Sequence, residues 1–325
     1  MPVGSLGSPQ SPLIRLTVAS LCFLAVSSCS SDRHTLAPNR PSVSASYSAP
    51  VWHPSGRAIM FNHEPLVRAY WDGDRYVQVF AESLGGFWIV NVDGSGQRRI
   101  APSYIWDPDW DTSGTTLAYG AGGTVFTVAG SDTGLSSNSA REIGSGAAYP
   151  SWRPDGSSIA GSWDGGIEIL PVSGGIRRTI GEPGWRQPDW SPRGDSLVFL
   201  VPMADRTAIA VADSMGLGLR TLWGQRESNA SYPKWSPDGS KIAFTGRANN
   251  ADLAYRLWVM DSSGANAHAV NTEGVLGFFS WSPDGKEIAY VRMNLGETAL
   301  TNGTIWIVNV ASGAKRQLTF NTPSN

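Results

Sequence analysis

The chain has 325 residues and a formal net charge of −2, from 25 Lys+Arg against 27 Asp+Glu. That balance excludes a domain built around nucleic acid, which carries a clear basic excess. Hydrophobic residues make up 41% of the chain, enough for a large core and too many for bulk disorder. The 37 Gly and 21 Pro punctuate the sequence too often for long helices, so they predict many short strands joined by tight turns. Both cysteines, Cys22 and Cys29, lie near the N-terminus. The body of the chain therefore holds no disulfide, thiolate metal site or thiol nucleophile.

Residues 16–26 are an apolar run of eleven with Arg15 just before them. This is too short to cross a hydrocarbon core of about 30 Å and suits the apolar region of an export signal. Small residues Val26-Ser27-Ser28 then precede Cys29. The segment resembles a bacterial lipobox, and the resemblance implies a signal over 1–28, lipidation at Cys29 and a mature chain anchored in the cell envelope. Residues 29–46 are polar, carry Pro38 and Pro41, and read as a flexible tether.

From residue 47 onward the sequence repeats itself, and the repeat predicts the fold. Six segments align without gaps on a tryptophan: APVWHPSGRAIMF, DPDWDTSGTTLAY, YPSWRPDGSSIAG, QPDWSPRGDSLVF, YPKWSPDGSKIAF and FFSWSPDGKEIAY, on Trp52, Trp110, Trp152, Trp190, Trp235 and Trp281. Glycine stands four positions after each Trp and a branched aliphatic seven after it. Proline stands two before it in five copies, with Phe279 the exception. The Ser-Pro-Asp-Gly type of segment is turn chemistry: Pro presets φ, Asp bonds nearby backbone, and Gly accepts positive φ. A third apolar strand such as Leu257-Trp258-Val259-Met260 and a fourth, more polar one such as Arg316-Gln317-Leu318 complete each unit. Four antiparallel strands taken six times predict an all-β, six-bladed β-propeller over residues 47–325, since radial closure covers sheet edges that an open sheet would expose. Between residues 62 and 87 the first repeat carries an insertion, in which Asp72-Gly73 between apolar residues predicts an extra β-hairpin.

The pattern P-x-W-S-P-D-G-x-x-I-A-F, followed by D-x-x-G and R-x-L-T, resembles the repeat of TolB-type propellers. It covers nearly the whole body, and its matched residues are those of turns and core. The same repeat resembles the propeller of prolyl oligopeptidase-like peptidases, whose catalytic residues sit in a separate hydrolase domain. No G-x-S-x-G occurs in this chain, so a peptidase of that kind is not expected.

Catalytic constellations are scarce. There is no H-E-x-x-H, C-x-x-C, P-loop or dinucleotide fingerprint, and the four histidines His34, His53, His63 and His268 are scattered. His53 reads as an exposed turn histidine, and Asp155, Asp238 and Asp284 read as turn stabilisers. Neither a cofactor nor a metal is expected. Oligogalacturonate lyases use a related propeller with histidine-bound metal, which four scattered histidines fit poorly.

Selection on the ligand would fall where the repeats differ. The residue three before each Trp is predicted to line the channel mouth: Ala49, Asp107, Tyr149, Gln187, Tyr232 and Phe278, with Trp106 and Arg186 just upstream. The reading that follows is a monomeric, non-enzymatic envelope lipoprotein that presents its propeller to an envelope protein or cell-wall glycan, touches the membrane through its anchor alone, and binds no nucleic acid. An enzyme acting on sugars or peptides in the channel, or a glycan-binding module, stays open as the alternative.

Overall fold

In every repeat the Trp ends an inner strand, and the turn after it reverses the chain into a run of branched and aromatic residues. A computed structural model describes residues 46–72, 75–136, 139–163, 165–224, 228–249, 254–293 and 303–321. The first repeat pairs Tyr47–Trp52, Ala58–His63, Gly86–Asn91 and Arg98–Ala101 in that order. The third pairs Ala148–Trp152, Ser158–Trp163, Gly166–Pro171 and Arg178–Ile180, and the sixth pairs Gly274–Trp281, Glu287–Met293, Thr304–Asn309 and Lys315–Gln317. The second runs Trp106–Trp110, Thr116–Ala121, Thr124–Ser131 and Arg141–Ser145, and adds the short strand Gly134–Leu135. The architecture is an all-β propeller of four-stranded antiparallel sheets.

The expectation of six separate sheets needs one correction. Four of the sheets stand alone, while the fourth and fifth repeats share a single eight-stranded sheet. Its halves are Arg186–Trp190 to Arg220–Trp223 and Asn229–Trp235 to His268–Ala269. One parallel pair, Thr207 with Asn229, joins them. The inner strand of the fifth repeat begins at Asn229, six residues before its Trp, and so reaches the start of the preceding repeat's third strand, Thr207–Asp213.

The second strand of each unit is covered on both faces. Ile242, Ala243 and Phe244 are fully buried, as are Ile288, Ala289 and Tyr290. One apolar cluster joins the first repeat (Trp52, Ile59, Phe61, Val90) to the sixth (Ala289, Val291, Ile305, Ile307), so packing closes the ring. Polar bonds cross the same boundaries. The Arg that opens the outer strand donates to a carbonyl in the next repeat: Arg98 to Thr133 at 2.6 Å, Arg178 to Ser214 at 2.9 Å, Arg220 to Ser263 at 2.9 Å, and, where two strand residues follow Lys315, Arg316 to Val92 at 2.7 Å. The turn aspartates act as the sequence predicts: Asp238 Oδ1 accepts the Ser240 N–H at 2.9 Å, and such bonds hold the Asp155, Asp238 and Asp284 carboxyls below their usual range.

His53 is a second correction. It is buried at 5% exposure rather than open at a turn, with Nε2 2.9 Å from the Gly114 carbonyl oxygen and its ring edge-on to Trp110. His63 is also buried, stacked on Tyr47 at 4.0 Å, and burial pulls its pKa down to about 4. The predicted hairpin is present as Leu66–Asp72 paired with Arg75–Phe80, a two-stranded sheet of its own. The export signal, Cys29 and all but the last residue of the tether lie outside the described residues. Among the described residues no helix is long and apolar enough to cross a membrane.

Candidate functional site

Each inner strand breaks its ladder just before the Trp. The register shifts between Ser48 and Val51, Trp106 and Asp109, Ala148 and Ser151, Arg186 and Asp189, and Ser231 and Lys234. The bulged residue is in the left-handed region every time: Ala49 (φ 49°), Asp107 (51°), Tyr149 (54°), Gln187 (53°) and Tyr232 (53°). Such a conformation costs a non-glycine residue of order 1–3 kcal/mol, and it persists where the surrounding structure dictates it. The proline that follows has no N–H to give the ladder, so the strand loses nothing by bulging there. Phe279 does have an N–H. It pairs with Tyr290, and the positive φ moves to Gly277 (46°).

The bulges turn these side chains toward one central cavity of ≈ 40 Å³, lined by Ala49, Asp107, Tyr149, Gln187, Tyr232, Lys234, Phe278, Phe279 and the repeat prolines. Six of the eight mouth residues picked from the sequence thus meet there. Trp106 and Arg186 do not line it. Trp106 is 48% exposed and lies against Tyr104 with ring centroids 6.2 Å apart, and Arg186 reaches Thr207 Oγ1 at 3.3 Å. Of the other tryptophans, Trp185 and Trp223 are core, whereas Trp163 is half exposed.

The aromatic wall is continuous. Tyr149 meets Tyr232 edge-on at 6.1 Å, and Tyr232 tilts against Phe278 at 4.6 Å. Gln187 fixes the wall: its N–H donates to Ser162 Oγ at 3.0 Å, and its Oε1 accepts the Tyr232 N–H at 2.7 Å.

Below the wall lies a charged layer that sequence reading missed, built from the residue just before each Trp. Asp109 Oδ2 accepts the Trp152 N–H at 2.7 Å, Ser151 Oγ that of Trp190 at 3.1 Å, and Asp189 Oδ2 that of Trp235 at 2.8 Å. The equivalent in the fifth repeat is Lys234, which can only donate. Its Nζ sits 3.1 Å from Asp189 Oδ1 and 3.8 Å from Asp109 Oδ1. The signal was present in the sequence, as one cation in a repeat column that otherwise holds Val51, Asp109, Ser151, Asp189 and Ser280.

Two carboxylates thus flank one ammonium, with Asp107 acting on it more weakly. Burial pulls the Lys234 pKa down, but Asp189 and Asp109 outweigh it and hold the group charged. Burial pushes Asp109 up to about 6, with Lys234 opposing. Asp107 is pushed up to about 7, again by burial, against a weaker pull from Lys234. Among the described residues Asp107 makes no hydrogen bond and no ion pair, and His/Cys/Asp/Glu groups of three that could hold a metal ion are absent.

No protein-family model matches the sequence. Among solved structures, a putative TolB from Agrobacterium tumefaciens superposes with a TM-score of 0.59 at 21% identity, over 71% of this chain and 87% of its own. The fold is a TolB-like β-propeller. TolB from Acinetobacter baumannii gives 0.60 at 18% identity, over 83% of this chain and 62% of its own length. An oligogalacturonate lyase in complex with manganese gives 0.53 at 10% identity, over 86% and 77%. At these identities the likeness is one of fold alone, so the TolB-like propeller does not itself assign an activity.

Proposed function

We propose that this TolB-like propeller is a non-enzymatic binding module, exported and held in the cell envelope by a lipid on Cys29, that receives a protein or envelope ligand at its central cavity. Counting the eight-stranded sheet as two blades, the ring has six. One observation carries the reading: residues that differ between otherwise matching repeats occupy equivalent left-handed bulges and converge on one cavity. Backbone strain repeated at positions whose side chains differ from repeat to repeat fits a ligand-facing role. The two carboxylates of the charged layer are already committed, Asp189 to Lys234 and to the Trp235 N–H, Asp109 to the Trp152 N–H. That leaves Asp107 without the second free carboxylate that glycoside hydrolysis uses.

The test is a photo-crosslinking amino acid placed at Phe278 and, separately, at the exposed outer-rim residue Leu217 in the full chain within envelope extracts. Adducts of defined mass at position 278 and none at 217 support the reading. Substrate turnover by the purified chain that disappears in Asp107→Asn overturns it in favour of an enzyme.

A further inference from the structure

Resting on that reading, the geometry points to the chemical class of ligand: we infer that the central cavity takes a primary ammonium group, seated on the Asp107 carboxylate and against the rings of Tyr149, Tyr232 and Phe278.

Four observations converge. Asp107 lines the cavity without a hydrogen bond among the described residues, whereas the other charged side chains beside it, Asp109, Asp189 and Lys234, and the Gln187 amide oxygen each have a partner to which the fold commits them. An acceptor held free beside a cavity selects a donor. The charge balance is also uneven: Asp107, Asp109 and Asp189 face the single Lys234, and that lysine is directed at Asp189 and Asp109. The remaining cation of the mouth, Arg186, is drawn off to Thr207, and Lys234 is the one cation acting on Asp107. A second positive charge would therefore relieve the layer rather than crowd it.

The walls then choose among cations. Aromatic faces attract an organic cation within about 6 Å of the ring centroid, whereas a hard metal ion needs about six oxygen ligands. Only one carboxylate is free here, and Tyr149 and Tyr232 keep their hydroxyls protonated, since burial and Asp107 both raise their pKa. Size narrows the choice further. A cavity of ≈ 40 Å³ has room for a few water-sized groups, which suits an –NH₃⁺ tip. Lysine side chains, chain N-termini and free polyamines all present that tip.

The test titrates the full-length chain with three probes: Nα-acetyl-lysine amide, its ε-acetylated neutral counterpart, and putrescine. Binding of the first and not the second is expected, weakened about tenfold or more in Asp107→Asn. Asparagine accepts the left-handed backbone of position 107, so that variant keeps the fold, with thermal unfolding as the check. Tyr232→Leu should weaken binding as well. A lysine amide tighter than putrescine assigns the ammonium to a protein partner, and the reverse assigns it to a free polyamine. Equal binding of charged and neutral probes, indifference to Asp107→Asn, or tighter Ca²⁺ than ammonium binding overturns the inference. Crosslinks at position 278 with no ammonium binding would sink this inference and leave the binding module standing.

Discussion

Ser280 Oγ accepts the backbone N–H of Trp52 at 2.9 Å, so the last repeat caps the first. The same bond joins Asp109 to Trp152, Ser151 to Trp190 and Asp189 to Trp235. The ring is thus closed by the device that joins its interior neighbours, aided by Arg316 at the outer edge. Ser280→Ala strands the Trp52 N–H next to a packed interface. It should destabilise the protein by about 1–3 kcal/mol. Ser173→Ala, in an exposed turn, should stay within about 0.5 kcal/mol. Urea unfolding of the two variants checks both.

Lys234 holds the charged layer together from one side chain. Lys234→Met removes the cation that, among the described residues, pairs with Asp109 and Asp189, and leaves their repulsion unopposed. A fully buried pair broken in this way loses about 3–5 kcal/mol. Lys234 keeps 28% side-chain exposure, so solvent screening should reduce that to about 2 kcal/mol. The double variant Lys234→Met/Asp189→Asn should be more stable than the sum of the single changes predicts, which a denaturant double-mutant cycle would show.

Much of this fold can be read from the tryptophan frames, because turn chemistry and two-faced burial are local consequences of residue type. Trp52 to Gly56 fixes a turn, and Ile59 to Phe61 fixes a covered strand, wherever the next repeat lies. Features that depend on the neighbouring repeat were not legible. Arg316 reads as a polar edge residue until Val92 is placed beside it, and His53 reads as exposed until Gly114 and Trp110 close over it. The cavity sits between these cases. Position three before the Trp places Asp107 and Tyr232 at the cavity, but the neighbours Trp106 and Arg186 alternate away from it, as adjacent strand residues do. The shift of the bulge to Gly277 followed from one missing proline at Phe279, a signal visible in the alignment whose meaning needed the ladder.

Asp107 should make stability depend on pH with the opposite sign to an ion-paired aspartate. Its folded pKa is pushed up to about 7 from an ordinary value near 3.8, so between those limits the folded chain binds more protons than the unfolded one. Stability from this group therefore falls as pH rises from about 4 to about 7. Asp107→Asn removes the dependence. Relative to the native chain, the variant should gain of order 1 kcal/mol between pH 5 and pH 8. Unfolding midpoints of both proteins at the two pH values decide it, and ammonium binding should strengthen over the same interval as Asp107 ionises.

Glu273 should behave in the reverse sense. Burial pushes its pKa up, but Lys315 Nζ at 2.7 Å and the Tyr290 hydroxyl outweigh that and hold it near 2. Its contribution is complete above the ordinary value of about 4.5 and is lost as pH falls toward 2. Glu273→Gln should therefore destabilise at pH 7 and much less at pH 3. A gap between native and variant midpoints that stays constant over this range would contradict the assignment.

Gly277 links the strain of the mouth to its shape. Its φ of 46° disfavours any side chain, and a Cβ there would lie 3.0 Å from Tyr232 Cε2. Gly277→Ala therefore adds left-handed strain and pushes on the ring that forms the middle of the aromatic wall. The strain alone should cost about 1 kcal/mol or more. Gly174→Ala has a positive φ too, but a Cβ there meets nothing within 4 Å, so it isolates the backbone contribution. Both variants should lower the unfolding midpoint, and only Gly277→Ala should also weaken ammonium binding, because only there does the new methyl displace Tyr232 from beside Phe278. Equal binding by the two variants would mean that the position of the Tyr232 ring does not govern the cavity.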